Sequence, residues 1–262
     1  MLSIVKVDEG NRQSVVDALR QDPIRHVFAF YDLQCKPEQT TCHVAYENQR
    51  LAGYILIYRA FECPSVILEC PPHLVSELLA YLDEDRFIMH SPPDLLSAIE
   101  TKYQRAKHYV EAWMLIKRNQ SVAFPSENVR RLCPEDAQQL AALLSTRRER
   151  KKADVNKCIE MLNEQPVYGV FIDGKLVSYA GSFIQTPQVW MIGGVYTRPR
   201  HRNRGYATQA TSAITQQALQ NAENAALFAR ADNTPAIKAY TKIGYRKIGE
   251  KNWTDQGTGL KP

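Results

Sequence analysis

No stretch of the 262-residue sequence approaches the ~20 consecutive apolar residues that a membrane-spanning helix needs. The start, MLSIVKVDEGNRQ, also lacks the apolar core of a secretory signal peptide. These absences argue against a membrane partner and against export, so we expect a soluble, cytoplasmic protein. Because 44% of its residues are hydrophobic and 23% are charged, the chain can bury one large core or two modest ones.

A zinc-binding pattern is also missing. The six cysteines include no C-x-x-C pair, and the nearest two along the chain are seven residues apart. We therefore expect no bound metal. In a chain without an export signal, free thiols that pack in the core are expected, and a reactive thiol at Cys63 or Cys70 is the alternative.

Two common phosphate-binding patterns are absent as well. The sequence has neither a G-x-G-x-x-G turn nor a P-loop that ends in Lys-Ser or Lys-Thr. NAD and ATP are therefore disfavoured as ligands. What the chain does have is positive charge, with a formal net charge of +5, and such a balance suits a polyanionic ligand.

Much of this charge lies in Arg198, Arg200, Arg202 and Arg204 and in the run from Arg147 to Lys152. Nucleic acid is not expected as a partner, because the basic residues lack interleaved aromatic residues and acids are nearly as numerous. The run from Arg147 to Lys152 is interpreted as a solvated helix face. A segment that gates substrate or contacts phosphate is the alternative for this run.

The most informative stretch runs from Trp190 to Ala207, where an apolar strand leads through arginine-rich turns into a charge-free helix. The first turn of such a helix leaves backbone N–H groups unpaired, and its positive dipole end favours an anion. Gly205 lets the backbone approach phosphates closely. We therefore predict a pyrophosphate cradle, with an ordinary basic turn as the alternative. The cradle comprises Arg202, Asn203, Arg204, Gly205, Tyr206, Ala207 and Thr208.

A second helix start lies downstream, after the strand-like segment Ala225 to Arg230. Asn233 or Thr234 can cap the helix, Pro235 suits its first turn, and Gly244 suits its left-handed exit. Asn233 and Tyr240 are seven residues apart, so two helical turns bring them to one side. The alternative is that Asn233 only caps the helix and Tyr240 only packs in the core.

Together these segments resemble the GNAT acetyltransferase superfamily. Its acyl-CoA motif, Arg or Gln, two residues, Gly, one residue, then Gly or Ala, matches Arg202 to Ala207. Its closing motif, Asn-x-x-Ala with an aromatic residue and a Gly-Tyr pair, matches Asn233 to Tyr245. The resemblance implies that CoA pyrophosphate occupies the cradle, that Asn233 contacts the pantetheine arm, and that Tyr240 protonates the departing thiolate.

The resemblance also assigns the strand before the cradle, which is splayed from its neighbour in the family and pairs with pantetheine amides. The positions that correspond here are Gly194, Val195, Tyr196 and Thr197. The N–H of Val195 is the candidate donor to the thioester carbonyl, where negative charge develops during transfer. Gly193-Gly194 favours a β-bulge or a close backbone approach, with simple packing as the alternative.

One group that many relatives have is missing. They carry a Glu on this strand as general base, whereas residues 189 to 197 contain no acid and no His. An amine with a pKa of ~10 must lose a proton before it attacks, so the proton acceptor stays unassigned. Water held by backbone carbonyls and an acid from the amino-terminal half are open alternatives, and His201 is a weaker one.

The order of strands and helices predicts an α/β fold with a mixed sheet. Hairpins at residues 168–181 and 43–56 are each followed by a strand and a helix, from which we infer two related halves, with coincidence as the alternative. We expect a first domain at residues 1–120, a linker at 121–128 and a second domain at 129–262. In the first, Cys70-Pro71-Pro72 replaces the cradle and removes N–H donors, so it should not bind CoA.

This layout resembles the glycine N-acyltransferase-like branch, as two GNAT-like domains in tandem with a degenerate first half and the acyl-CoA site in the second. The resemblance implies an N-acetyltransferase that moves an acetyl group from acetyl-CoA directly to a primary amine through a tetrahedral intermediate. Direct transfer is preferred because neither motif contains a Cys. A small amine and a peptide amino group are both possible acceptors.

Two other functions stay open. One is an N-acyltransferase that uses longer acyl-CoA with an amino-acid acceptor. The other is a non-catalytic acyl-CoA-binding sensor, which the missing strand carboxylate would allow. The sequence also leaves open whether the chain forms a homodimer.

Overall fold

The computed structural model describes residues 1–147 and 153–258. Contacts between residues divide the chain into two compact units. Unit 1 contains Met1–Ala112 together with Gly249–Pro262, and unit 2 contains Trp113–Ile248. Of the basic run from Arg147 to Lys152, only Arg147 lies within the described residues, and the rest of that run lies outside them.

Strands and helices alternate along the described residues, and both units have a sheet covered by helices, which confirms the predicted α/β fold class. The strands are β1 (Leu2–Lys6), β2 (Thr40–Glu47), β3 (Arg50–Tyr58), β4 (Ser65–Glu69), β5 (Phe87–Ser91), β6 (Lys107–Lys117), β7 (Val129–Arg131), β8 (Val167–Ile172), β9 (Lys175–Gln185), β10 (Val189–Thr197), β11 (Asn224–Arg230) and β12 (Arg246–Gln256). The α-helices are α1 (Arg12–Leu19), α2 (Val27–Cys35), α3 (Val75–Leu79), α4 (Leu96–Lys102), α5 (Ala137–Leu144), α6 (Val155–Glu164), α7 (Tyr206–Asn221) and α8 (Thr234–Ile243).

In unit 1 the strand order is β1-β2-β3-β4-β5-β12. Neighbouring strands are antiparallel except β4 and β5, which are parallel. Their register pairs run only from Ser65↔Ile88 to Ile67↔His90. Leu78 and Ile99 anchor the short helices α3 and α4 on one face of this sheet, in a core that also contains Phe87.

Both predicted hairpins are present, and their turns explain the register. Asn48 and Gln49 connect β2 to β3, and Asp173 and Gly174 connect β8 to β9. All four residues have positive φ. Two consecutive left-handed residues make a type I′ turn, whose twist matches that of the flanking strands. Each turn therefore sets which side chains of its hairpin face the core.

In unit 2 the strand order is β6-β11-β10-β9-β8-β7. β10 and β11 are parallel, whereas β10, β9, β8 and β7 pair antiparallel in succession. α5 and α6 pack through Leu140 and Leu162 into a cluster that includes Tyr179 of β9. The other long helix, α7, buries small residues such as Ala210 and Ala218, which lets it lie close to β9 and β10.

The expected linker at residues 121–128 is part of unit 2 and is held by its helices. The N–H of Val122 donates to the carbonyl of Ile243 at 2.8 Å, and the N–H of Phe124 donates to Ser212 Oγ at 2.9 Å. The domain boundaries expected from the sequence stay a proposal. The two units differ from the expected domains at the carboxyl end of the chain, because Gly249–Pro262 belongs to unit 1.

None of the helices in the described ranges is long and apolar enough to cross a membrane. The same ranges contain no group of three or more His, Cys, Asp or Glu side chains that could hold a metal ion. All six cysteines are free thiols. Burial raises the pKa of Cys63 and raises that of Cys70 to about 12, which favours unreactive thiols over reactive thiolates at these positions.

The buried carboxyl of Asp32 makes the stability of unit 1 depend on pH. Asp32 lies on α2 with 9% of its surface exposed, and burial raises its pKa to about 7. In the unfolded chain the pKa is about 3.9, so between these values the folded state binds more protons and stability falls as pH rises. An Asp32→Asn substitution removes this titration. As the pH rises from about 4 to about 8, we expect the free energy of unfolding of the variant to increase by roughly 2–4 kcal/mol relative to that of the native chain.

Denaturant unfolding of both proteins at the two pH values measures this gain. Asp17→Asn, at an aspartate of α1 whose side chain is 59% exposed, is the control and should show no such change. A difference between the Asp32→Asn variant and the native chain that stays the same at both pH values would contradict the assignment.

Candidate functional site

The centre of unit 2 is a gap between two parallel strands. β10 and β11 share register pairs only from Val189↔Asn224 to Met191↔Ala226. Both strands continue further, to Thr197 and to Arg230. The expected splay between them is therefore present, and beyond Met191 the backbone of β10 turns an unpaired edge toward the gap.

A bulge shapes β10 beside this gap. Its register with β9 shifts between Gly193↔Gly181 and Tyr196↔Tyr179, so Gly194 and Val195 have no register partner on β9. Gly194 has a φ of 68°, and a Cβ there would come within 3.0 Å of the Tyr179 hydroxyl. Only glycine fits both conditions. The bulge predicted at this glycine pair is confirmed.

The predicted cradle lies where β10 leads into α7. A 3-10 turn at Pro199–His201 is followed by left-handed residues at Asn203 (φ 61°) and Gly205 (φ 80°). Gly205 caps α7 without any side-chain cap, and the first amide of the helix to be bonded is Gln209 N–H, which donates to the Gly205 carbonyl at 3.0 Å. Left-handed residues in such a turn are typical of anion-binding concavities.

Six successive amides are left for a ligand at this turn. Within the described residues, the N–H groups from Asn203 to Thr208 have no hydrogen-bond partner. A Cβ at Gly205 would meet nothing within 4 Å, so the space in front of it is open. Unpaired donors, an open approach and the positive end of a 16-residue helix together make a site for a phosphate group.

Two basic residues of the turn have defined positions. Arg202 Nε donates to the Thr197 carbonyl at 3.3 Å, and its guanidinium lies 5.7 Å from the centre of the Tyr196 ring. The ring of His201 lies 6.3 Å from that of Tyr206 at the helix start. Arg202 therefore contacts the end of β10 and adds positive charge to the turn, whereas His201 lies near the start of α7.

A cleft of about 290 Å³ opens beside the start of α7. It joins the first turn of α7 to the last turn of α8 and to the segment at residues 123–125. From the sequence that segment is expected only to be a linker, although the pair Phe124-Pro125 is a local signal of an apolar wall. The cleft is lined by Ala123, Phe124, Pro125, Gly205, Thr208, Gln209 and Lys242.

α8 carries the two predicted residues of the closing motif. Asn233 caps the helix, and its Oδ1 accepts from the Ala236 N–H at 3.3 Å, which leaves its Nδ2 available to donate. Tyr240 is 6% exposed, and burial raises its pKa to about 12. Its hydroxyl forms no hydrogen bond with any described residue. At neutral pH Tyr240 therefore carries its phenolic proton.

Arg147 begins the basic run for which a solvated helix face was expected, with a segment that gates substrate or contacts phosphate as the alternative. Arg147 follows α5 and is half-buried, so for this residue the solvated face is the wrong interpretation. Its guanidinium lies 4.6 Å from the centre of the Tyr196 ring and donates to the Gly194 carbonyl at 3.3 Å. Thr146 Oγ1 shares a 2.9 Å hydrogen bond with the Tyr196 hydroxyl. The end of α5 therefore places a cation directly beside the bulge.

The charges around β10 are unbalanced. Within the described ranges, none of the carboxylates forms an ion pair with Arg147, Arg202 or Arg204. Ion pairs elsewhere in unit 2 include Arg130 with Asp136 and Arg230 with Asp232. The site is therefore positive both at the cradle and beside the bulge, which suits anionic ligands.

Comparisons with known proteins agree with this geometry. A family model described as FR47-like protein matches residues 167–254. No curated protein matches the sequence significantly. A solved structure of a Drosophila protein is similar over 98% of this chain and 99% of its own, with 13% identity and a TM-score of 0.74.

Two further solved structures are similar over almost the whole chain. One is a GCN5-related N-acetyltransferase from Sphaerobacter thermophilus, with 14% identity over 100% of this chain and 98% of its own and a TM-score of 0.65. The other is a tandem GNAT protein from the clavulanic acid biosynthesis pathway, with 14% identity, coverage of 98% and 99%, and a TM-score of 0.62. These likenesses confirm the predicted fold, two GNAT-like units in tandem.

The cradle makes a prediction about Gly205. Gly205→Ala places a methyl group in front of the unpaired amides and should weaken CoA binding at least about tenfold. Gly174→Ala is a matched control, because Gly174 also has positive φ (71°) and open space at its Cβ position. Both substitutions should cost about 1 kcal/mol of stability. Calorimetric titration with CoA measures both variants, and equal affinities would contradict the cradle.

Proposed function

We propose that this protein is an N-acyltransferase that passes an acetyl group from acetyl-CoA directly to a primary amine. The observation that carries the proposal is the row of unpaired amides from Asn203 to Thr208, placed at the mouth of the gap between β10 and β11. Phosphates at the turn would direct the rest of an extended ligand into the gap. The GNAT fold supports acyl transfer as the general chemistry.

The donor would be held by backbone groups for most of its length. The pyrophosphate would accept hydrogen bonds from the cradle at Arg202 to Thr208. The pantetheine arm would replace β11 as the neighbour of β10, with its amides against the unpaired edge from Gly194 to Thr197. Asn233 Nδ2 would donate to the same arm. Backbone recognition of this kind needs the splay and the bulge, which the structure provides.

The transfer step would take place at the bulge. The amine nitrogen attacks the thioester carbon, a C–N bond forms, and the carbonyl oxygen becomes an oxyanion that the Val195 N–H stabilises. Collapse of this intermediate breaks the C–S bond. The leaving thiolate takes a proton from Tyr240, and the nitrogen loses one proton, so the products are an amide and CoA with a free thiol. Tyr240 regains its proton from solvent.

The proton of the amine has no carboxylate to receive it on β10. Within the described residues, Arg147 is the charged group beside the bulge. A fixed positive charge lowers the pKa of an amine bound next to it and raises the fraction that is neutral. We propose that water in the gap then carries the proton away, in place of a side-chain base.

A second candidate acceptor follows from Arg147. A half-buried guanidinium with no carboxylate partner among the described residues can bind the carboxylate of an incoming amino acid. This favours the alternative of an N-acyltransferase with an amino-acid acceptor over acceptors with several positive charges. Longer acyl chains stay open for either acceptor.

We also propose that unit 1 is a degenerate GNAT half without a CoA site. β4 ends at Glu69, whose carboxylate pairs with Arg25 at 3.0 Å and with Lys251. The following Pro71 and Pro72 carry no N–H, and α3 is only five residues long. Buried charges and missing donors stand where unit 2 has its bulge and cradle. We keep the cytoplasm as the proposed location and leave a homodimer open.

The test of catalysis is Tyr240→Phe, which removes the proton donor and keeps the ring. Thiol release from acetyl-CoA, measured against a panel of amino acids, polyamines and peptides, should fall by about 10²-fold or more. The affinity for CoA should stay within about twofold, because binding depends on the backbone. Tyr168→Phe on β8 is the control and should leave both quantities unchanged.

Other outcomes of this test have distinct meanings. Unchanged thiol release in Tyr240→Phe would contradict the role of Tyr240. Binding of CoA with no thiol release from any amine, in the native protein, would favour the sensor alternative. No binding of acetyl-CoA at all would contradict the proposed function.

A further inference from the structure

The narrow end of the gap between β10 and β11 offers little room for a ligand. The two strands pair as far as Met191↔Ala226, so at the next residues they are still too close for an extended chain to lie between them. Ile192 and Leu227 point to one face of the sheet, where they are almost fully buried. A group that enters this end of the gap therefore has room only over the other face, at Gly193.

The space over Gly193 is occupied by the ring of Phe183 from β9. A Cβ at Gly193 would lie 2.7 Å from Phe183 Cε1 and 3.0 Å from its Cδ1, so the edge of the ring rests on the glycine backbone. Glycine is needed here for this close approach, because the φ of Gly193 is not positive. The Phe183 side chain is 39% exposed, so it lies at a surface of the sheet and is not part of a closed core.

A bulge in β9 holds Phe183 in this position. The register between β9 and β10 shifts after Met191↔Ile184, and Phe183 is the extra residue on β9. The Ser182 hydroxyl lies 3.0 Å from the carbonyl oxygens of Ile184 and Met191, to either of which it can donate. Gln185 Nε2 donates to the Ser182 carbonyl at 2.6 Å. These hydrogen bonds fix the backbone that turns the ring toward β10.

A second ring flanks the same end of the gap from β11. Because Met191 pairs with Ala226, Gly193 and Phe228 lie two residues further along their strands and face the same side of the sheet. Phe228 stacks on Trp113 of β6, with ring centres 5.6 Å apart and an angle of 23° between the planes. The space over Gly193 is therefore bordered by aromatic side chains from both neighbouring strands.

We infer that Phe183 limits the acyl group of the donor to two or three carbons, an inference that rests on the proposed function and names its acyl class. With the thioester carbonyl at the Val195 N–H, the acyl carbons extend along β10 toward Gly193. A methyl or ethyl group ends before it reaches the Phe183 ring. A longer chain must displace this ring or bend out of the gap, and both move the carbonyl away from its donor. The backbone cradle alone would accept all of these donors equally.

The test compares CoA, acetyl-CoA, butyryl-CoA and hexanoyl-CoA, which differ only in the acyl group. In calorimetric titration the native protein should bind hexanoyl-CoA at least about tenfold more weakly than acetyl-CoA. Phe183→Ala removes the ring and should bring the two affinities within about threefold, with the affinity for CoA unchanged. Phe61→Ala is the control, because Phe61 is an exposed phenylalanine of unit 1, and it should keep the native preference.

Phe183→Leu is a second variant that keeps an apolar side chain on Gly193 and so guards against a failure of Phe183→Ala to fold. It should reduce the preference for acetyl-CoA to a value between those of the native protein and Phe183→Ala. Native protein that binds hexanoyl-CoA as tightly as acetyl-CoA would overturn the inference and leave the proposed function intact. The full native preference in both Phe183 variants, or in Phe183→Leu if it alone folds, would do the same. No binding of CoA or of any acyl-CoA by the native protein would remove the proposed function together with this inference.

Discussion

The parting of β10 from β11 is the constraint on which the site depends. Both strands are parallel, so the helix that follows β10 must start at the edge where the strands separate. The gap and the helix N-terminus therefore coincide without any special arrangement of side chains. Glycines permit the two local conformations that this needs, a left-handed bulge at Gly194 and a left-handed cap at Gly205. Recognition can then rest on the backbone.

Unit 1 has the same strand order as unit 2, but different residues follow its corresponding parallel strand, β4. β4 and β5 are also parallel and also part after three register pairs. At the end of β4 stands Glu69, 3% exposed and paired with Arg25 and Lys251, and two prolines follow. A buried ion pair is weak evidence of added stability, since desolvation offsets much of the attraction. Under the proposal that unit 1 is a degenerate half, these charges fill a position that corresponds to the open site of unit 2.

Much of unit 2 could be predicted from the sequence because its signals are local. Asp173-Gly174 fixes a hairpin, Gly205 and its arginines fix the cradle, and Asn233 and Gly244 fix the ends of α8. Other features depend on distant packing and left no local signal. The sequence does not show that the last strand joins unit 1, or that Arg147 turns onto Tyr196. It also hides the cleft, whose wall comes from a segment that looks like a linker until α7 and α8 hold it.

The most direct measurement of the central claim is hydrogen–deuterium exchange of the native protein with and without acetyl-CoA. The amides from Asn203 to Thr208 have no hydrogen-bond partner within the described residues, so peptides that cover them, and peptides that cover the edge of β10 at residues 194–197, should gain protection when the ligand binds. Peptides from β4 to α3 in unit 1 should not change. Protection in unit 1 instead, or binding of acetyl-CoA with no protection between residues 194 and 208, would contradict the account.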